Sequence, residues 1–359
     1  MRILQVSKFY PPYKGGIELV AEMYSRAHQK LGDQVDVISF GETNDHYTGE
    51  FREKVTQLKK HLFLLSTPFN FSILFNPFKI FKKDYDIVYV HLHNPFIHVW
   101  FLVWSFLFKI DGSRLYGIYH SDLSNQGRLG DLYEFFFQKT SFIYDELIVS
   151  SPKLHQYSSV ISKFQKVNII PFPVKINNEY KVRNHFHGNI VAIGRLVPYK
   201  GFEFLIKAVS KTDLKLKIIG DGPLRTELEE LSKSFSNITL CGNITDEDKD
   251  KIIAESDLLV VSSINKAEAY GMIIVEAFQS GLPVIASNID TGVTFLVQDG
   301  VTGLVFDVLN EQSLISKLEE LKEEKKMEKL SSGAYEFYLN NLTFSKFTEN
   351  INRLRVSKN

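Results

Sequence analysis

The stretch "EAYGMIIVEAF", Glu268 to Phe278, decides how this chain is read. It holds two carboxylates, Glu268 and Glu276, with seven residues between them and a Tyr-Gly break inside. In one unbroken helix the two would sit roughly 80° apart, loosely on one side. Gly271 interrupts that pattern, and everything after it reads as a buried helix that is apolar except for Glu276. Glu268 is therefore expected on a loop and Glu276 more than a turn into the helix. The helix N-terminus falls between them, and such a terminus favours anions. Unpaired burial of a carboxylate is costly, so Glu276 needs a hydrogen-bonding partner, and a ribose diol suits it. The pattern points to a ligand with an anionic middle and hydroxyl-bearing groups on either side. Taken alone, a solvated surface acid plus a helix acid would explain such a pair as well.

Outward from that stretch, short apolar runs alternate with helical ones. "RILQVS", "VDVISF", "YDIVYVHLH", "RLYGIYHSD" and "ELIVSS" come first, with a helix from about Ile17 to Leu31 after a Pro- and Gly-containing loop. Near residue 171, "IPFPVKINNEYKVRNHFHGN" becomes polar, as a linker would. The alternation restarts with "IVAIGR", "LKIIGDG", "ITLCGN", "DLLVVSS" and "LPVIAS". Near-continuous apolar strands separated by helices imply the α/β class with parallel, doubly wound sheets. The expected architecture is two tandem Rossmann-like domains facing a cleft where strand C-termini meet. Their expected extents are 1–172 and 173–340. Residues 341–359 form a helical tail that crosses back to the N-terminal domain.

Composition narrows the function classes. A chain of 359 residues is long for one core and comfortable for two. Its 42 Lys plus Arg balance 42 Asp plus Glu, which argues against a general nucleic-acid binder. The lone Cys241 rules out an internal disulfide and a cysteine-based zinc site, and fits a reducing compartment. "MRILQVSKFYPP" shows no cleavable signal. The longest apolar run, Val99 to Phe108, is about half of a membrane span. A cytoplasmic protein is expected.

Further candidates flank the two glutamates. In "GRLVPYKG", Arg195 ends a strand and Lys200 precedes Gly201 at a helix start. Two cations at such a turn can neutralise a diphosphate, Arg by forked contacts and Lys as a point charge, although ordinary surface charge is the commoner meaning. "GDGP" supplies a tight turn, Gly220, Asp221 and Gly222, at the end of the next strand. Gly15 and Gly16 stand at the mouth of the first helix, where adjacent glycines let backbone amides approach a phosphate. The G-x-G-x-x-G dinucleotide fingerprint is absent, which disfavours a dehydrogenase. His91 and His93 share a face at a strand end but lack a third metal ligand. His120, followed by Ser121 and Asp122, is the better candidate for touching a sugar. "TDED" contains Asp-x-Asp, yet Thr245 and Asp248 are spaced as a helix cap.

Taken together, "FYPPYKGGIELV", "YHSD", "VAIGRLVPYKG", "IIGDGPLRTELE", "GNITDED", "EAYGMIIVEAFQSGLPVIASN" and "DGVTGLVF" resemble retaining glycosyltransferase family 4, of the GT-B fold. They run in order from near the start to about residue 307. The resemblance implies that Arg195 and Lys200 hold a donor diphosphate, with Gly15 and Gly16 lining it and the Gly220–Gly222 turn nearby. It places Glu276 on the ribose. Glu268 would contact the transferred sugar, helped by amides of Ala269, Tyr270, Gly271, Met272 and Ile273, with His120 beside it. The base would meet Gly242, Asn243 and Ile244. No metal or other cofactor is implied, and front-face retention is the implied mechanism. Two positions depart from the pattern: "IPFPVKI" lacks the usual Asn-Gly, and Tyr270 stands where Phe is more usual.

"DTGVTFLVQDGVTGL" looks most like mannosyltransferases that use GDP-mannose, with a UDP-hexose as the other donor. The Phe-rich segment from His61 to Lys83, flanked by Lys59, Lys60, Lys79, Lys82 and Lys83, has the mixture that docks on anionic membranes. A lipid-linked oligosaccharide acceptor in surface-polysaccharide (O-antigen or capsule) assembly fits, with docking on the inner face of the cytoplasmic membrane. The rival readings are a GT-B nucleotide-sugar epimerase and a non-catalytic nucleotide-sugar sensor.

Overall fold

The computed structural model describes residues 1–64, 67–71, 73, 85–92, 94–107, 113–122, 128–175 and 180–356. His93, Lys79, Lys82 and Lys83 lie outside them. The chain divides into two compact units, Met1–Pro173 with Phe344–Asn359, and Val174–Thr343.

The first unit is built on β1 (Arg2–Val6), β2 (Gln34–Gly41), β3 (Asp45–Thr48), β4 (Lys54–Lys59), a β5–β6 hairpin (Leu62–Leu64 and Thr67–Phe69), β7 (Ile87–His91), β8 (Arg114–Tyr119), β9 (Glu146–Val149) and β10 (Val167–Ile169). Eight of them form one sheet in the order β10-β9-β8-β7-β1-β2-β4-β3. Every pairing in it is parallel except β3 with β4. Such strands are covered on both faces, which explains their continuous apolar runs: all five residues of β7 are buried. Helices α1 (Gly16–Lys30), α2 (Pro95–Leu107), α3 (Arg128–Thr140) and α4 (Pro152–Tyr157) cover it. In α2, Trp100 and Phe101 are buried while Val99 and Val103 are exposed, so one side of this helix packs into the core.

The second unit has six strands, β11 (Asn189–Ile193), β12 (Lys215–Ile219), β13 (Ile238–Gly242), β14 (Leu258–Val261), β15 (Val284–Ser287) and β16 (Gly303–Phe306). Their order is β13-β12-β11-β14-β15-β16, all parallel. This is the doubly wound order in which the chain changes direction beside the first strand. Helices α5 (Phe202–Val209), α6 (Arg225–Ser232), α7 (Asp246–Glu255), α8 (Met272–Gln279), α9 (Gly292–Leu296), α10 (Glu311–Glu320) and α11 (Glu324–Asn341) complete it.

The last helix, α12 (Phe344–Val356), belongs to the first unit. Its Phe347 meets Tyr24 of α1 edge-on, with ring centroids 5.0 Å apart. Its Arg355 reaches the buried Asp33, 3.1 Å away. Among the described residues no helix is long and apolar enough to cross a membrane.

Candidate active site

In a doubly wound sheet the ligand crevice opens beyond the carboxyl ends of the strands where direction changes. In the second unit these are β11 and β14, and the loops that follow them carry Arg195, Lys200 and Glu268. The first loop tightens into a short turn, Pro198–Lys200, closed by Gly201 at φ 67°. A Cβ at Gly201 would stand 2.1 Å from the carbonyl oxygen of Ser262, so glycine lets the two loops touch. Ser262 Oγ donates to the Lys200 carbonyl at 2.9 Å, and Ile264 N donates to Tyr199 O at 2.8 Å.

Across that contact the Lys200 ammonium forms a salt bridge with Glu268 Oε2. Both side chains are largely buried, at 14% and 10% exposure, so each is the other's main compensation for lost water. Ser263 Oγ also donates to Glu268 Oε2, at 3.2 Å. Burial works to depress the Lys200 pKa, but the carboxylate outweighs it and the pKa is raised. Lys200 is therefore a permanent cation. The Glu268 backbone is fixed as well, its carbonyl accepting from Thr291 Oγ1 at 2.8 Å and that of Ala269 from Gly292 N at 2.8 Å.

Gly271, at φ 81°, turns the chain from this loop into α8. Glu268 is on the loop and Glu276 more than a turn into the helix, as the Tyr-Gly break implies. The first amides of α8, those of Met272 and Ile273, have no helical acceptor by construction. Ala269 and Tyr270 are buried, and Met272 and Ile273 half-buried. Glu276 finds a partner inside the chain: Lys249 Nζ of α7 lies 2.7 Å from its Oε2. Burial pushes the Glu276 pKa up and Lys249 offsets part of that. Sequence reasoning missed Lys249. Its only signal was that a mostly buried Glu276 had to be compensated.

The remaining predicted residues are placed as follows. Arg195 is exposed, and its side chain makes no hydrogen bond or ion pair among the described residues. The Gly220–Gly222 turn packs on the Arg195 loop: Leu196 N donates to Asp221 O at 2.9 Å, and a Cβ on Gly222 would stand 2.5 Å from Leu196 O. Asn243 is exposed and Ile244 half-buried just beyond β13. Thr245 caps α7, its hydroxyl accepting from Asp248 N at 3.1 Å. Among the described residues no three His, Cys, Asp or Glu gather into a metal site.

In the first unit the corresponding strands are β1 and β7. Gly15 and Gly16 open α1, and the Glu18 carboxylate folds back over that terminus to where a Cβ on Gly15 would be, 2.2 Å from it. Burial raises the Glu18 pKa, with a hydrogen bond from its own amide opposing. His120 follows β8, its Nε2 lying 3.0 Å from Nδ1 of His91. Asp122 accepts from Tyr119 Oη at 2.7 Å and from Ser158 Oγ at 2.5 Å, which commits it to holding its loop.

Comparison with known proteins places this geometry. Residues 14–177 match the model of Glycosyltransferase Family 4, and residues 182–337 that of glycosyl transferases group 1. The O-antigen chain mannosyltransferase C of Escherichia coli is 30% identical over 334 residues, covering 89% of this chain and 88% of its own. The chain belongs to glycosyltransferase family 4. The D-rhamnosyltransferase WbpZ of Pseudomonas aeruginosa is 28% identical over 319 residues, 85% of this transferase and 82% of that one. Among solved structures, sucrose-phosphate synthase from Thermosynechococcus elongatus superposes with a TM-score of 0.79 at 17% identity, covering 99% and 98% of the two chains. Anabaena HepE, crystallised with UDP and glucose, gives 0.74 at 18% identity over 100% of each. The fold of this transferase is thus GT-B.

Proposed function

We propose that this transferase moves mannose from GDP-mannose to a saccharide acceptor with retention of configuration and without a metal ion. The observation that carries the reading is the buried Lys200–Glu268 pair at the crevice of the second unit, beside the N-terminus of α8. In the reaction the bond from the sugar C1 to the diphosphate oxygen breaks. The acceptor oxygen bonds C1 on the same face, and its proton passes to the departing phosphate. Lys200 and the α8 terminus are cationic or dipolar groups fixed beforehand to take up that charge, which lowers the barrier without reorganisation, and the exposed Arg195 adds a second cation once the diphosphate is bound. Lys200 exchanges part of its contact with Glu268 for the diphosphate, releasing carboxylate oxygens for hydroxyls of the sugar. Glu276 accepts from the ribose, Asn243 and Ile244 bound the base, Gly15 and Gly16 leave room for the phosphates, and His120 acts beside the sugar.

Support for mannose comes from the family relative named as an O-antigen mannosyltransferase. The same name supports an acceptor in O-antigen assembly, for which we propose a lipid-linked oligosaccharide. Exposed Leu62, Phe63 and Phe71, with Lys60 5.1 Å from the Phe63 ring, supply apolar and cationic groups for an anionic membrane face. Thermal stabilisation by GDP- and UDP-sugars in the presence of a chelator tests the donor. A ligand at 100 times its Kd stabilises by about 2.7 kcal/mol. A shift with GDP-mannose is expected, a shift with UDP-sugars alone overturns the donor, and no shift overturns the roles given to Lys200 and Glu276. Sedimentation with anionic vesicles tests the membrane face: Phe63→Ser should bind less, and equal binding removes that face from the reading.

A further inference from the structure

A cavity of about 420 Å³ opens at the edge of the first unit's sheet, lined by Pro12, Tyr13, Asp45, Tyr47 and Gln57. Its volume falls in the range of small-molecule sites. Pro12 and Tyr13 are in the loop after β1, and Tyr13 stands two residues before Gly15. Strand β3 runs back against β4, so its first residue, Asp45, pairs with Gln57 close to where β4 ends. Asp45 and Tyr47, two apart on β3, share a face with Gln57. The Tyr47 hydroxyl donates to Pro11 O at 2.5 Å, which ties β3 to the loop after β1. The cavity is therefore on the carboxyl rim of the parallel strands, the same rim on which α1 opens.

Hydrogen-bond accounting shows what the cavity asks of a ligand. The Thr43 carbonyl can only accept, so the Gln57 amide turns its NH2 towards it, at 3.1 Å. Gly41 makes room for that amide, since a Cβ there would stand 2.2 Å from Gln57 Cδ. The side-chain carbonyl of Gln57 then has no donor among the described residues, although Gln57 is only 8% exposed. Leaving such an acceptor unmatched is costly unless a ligand or water supplies the donor. Asp45 accepts from His46 N at 2.7 Å with one oxygen, and its other oxygen has no donor among the described residues. Tyr13 Oη accepts from Glu42 N at 3.3 Å. Phe9 stacks on the Tyr13 ring, with centroids 5.0 Å and planes 22° apart, and so braces it at the cavity wall. No Lys, Arg or His lines the cavity.

We propose that this cavity is a subsite for a neutral, hydroxyl-rich saccharide unit of the acceptor, other than the unit that reacts. The proposal rests on the reading of the chain as a transferase to a saccharide. Hydroxyls donate to the Asp45 carboxylate and the Gln57 carbonyl, and the C–H face of a pyranose packs on the aromatic wall. A phosphate or sulfate would meet Asp45 and no cation. A purely apolar ligand would leave both acceptors unpaired. In the sheet β3 is three strands from β1, about 14 Å away, which is further than one sugar ring reaches. A saccharide seated here thus trails behind the unit presented at the crevice. Burial, with Asp45, Glu53 and Tyr13 adding to it, pushes the Tyr47 pKa up to about 12, so that hydroxyl stays protonated and bonded to Pro11.

The test titrates the full chain with trisaccharides of mannose, glucose and galactose, followed by saturation-transfer NMR, with a sulfated trisaccharide as the charged control. At least one neutral trisaccharide should bind in the absence of donor, and the sulfated one should not. Asp45→Asn keeps the contact to His46 through its carbonyl and turns the second acceptor into a donor, while Tyr13→Ala removes the braced ring. Each should weaken the binding about tenfold, the scale of one lost hydrogen bond to a charged group. Stabilisation by GDP-mannose should be the same in both variants as in the wild type, because the groups given to the donor base and diphosphate are in the second unit. Binding of no neutral trisaccharide, equal binding by wild type and both variants, or equal binding of the sulfated probe overturns the proposal. The two readings fail separately. Stabilisation by GDP-mannose without trisaccharide binding removes the subsite alone, and trisaccharide binding that depends on Asp45 without any donor shift removes the donor reading alone.

Discussion

At the crevice of the second unit Lys200 and Glu268 meet as full charges, compensated by each other and by Ser263. At the corresponding strands of the first unit, Gln5 and His91 meet as uncharged side chains 3.3 Å apart. The first pair lies on loops beyond the ends of parallel strands and the second within β1 and β7, and both are nearly dry. On the proposed roles, the difference follows from what each would face. A diphosphate carries charge that only opposite charge or oriented amides can balance. A sugar ring carries hydroxyls, for which a correctly placed lone pair suffices. Two doubly wound units of one chain thus carry two electrostatic designs, one on the loops after its strands and one inside the strands themselves.

The contrast breaks most readily at Glu268. Glu268→Gln keeps the shape and removes the charge, leaving Lys200 without its ionic partner. Turnover should fall by about a hundredfold or more, the scale expected when a preorganised electrostatic contact is lost. Nucleoside diphosphate should still bind, because Lys200 then has its charge fully available. Steady-state kinetics with calorimetric titration of the diphosphate separates the two effects. Turnover within about threefold of wild type would remove Glu268 from the site.

Acid sharpens the contrast between the units. In the first, burial holds His91 at about 3 and His98 at about 4. An unfolded histidine titrates near 6.5. Between those values the unfolded chain binds more protons than the folded one, so stability is complete above about pH 6.5 and is lost as pH falls towards 3 to 4. At pH 5 each histidine should withdraw about 2 kcal/mol. The second unit's histidines, His185 and His187, are exposed at 54% and 68%. Both tryptophans of the chain, Trp100 and Trp104, are in the first unit. Lowering the pH from 7 to 5 should therefore move the urea midpoint followed by tryptophan fluorescence further than that followed by circular dichroism. Equal movement would show that the neutral histidines do not set the acid response.

Much of this was legible in the sequence, for identifiable reasons. The parallel strands announce themselves because burial on both faces demands unbroken apolar runs, and β7 and β14 are read directly from "IVYVH" and "LLVV". The Tyr-Gly break put Glu268 on a loop and Glu276 in a helix because Gly271 adopts a backbone that few other residues tolerate. What escaped was long-range. Strand β3, "DHYT", is an antiparallel edge with mostly exposed side chains, so no hydrophobic pattern marks it. Lys249 and Glu276 are 27 residues apart on different helices, and no local rule pairs them. Tyr13, Asp45 and Gln57 line one cavity only once the loop after β1 and the β3–β4 pair are assembled.

The smallest expected effect bounds the comparison from the other side, since not every charge in the second unit serves a ligand. "TDED" gathers three acids at the start of α7, and Asp-x-Asp invites a cation-binding interpretation. In the structure Thr245 Oγ1 accepts from Asp248 N, and Asp246, Glu247 and Asp248 fill the first turn, where the helix dipole favours negative charge. Capping explains all of them. Thr245→Ala should cost about 1 kcal/mol of stability through the lost cap. Asp246→Asn should leave kcat and the donor KM unchanged whether or not divalent cations are present. A cation-dependent change in the kinetics of Asp246→Asn would transfer this cluster from the helix to the chemistry, and the charged design of the second unit would then extend beyond the Lys200–Glu268 crevice.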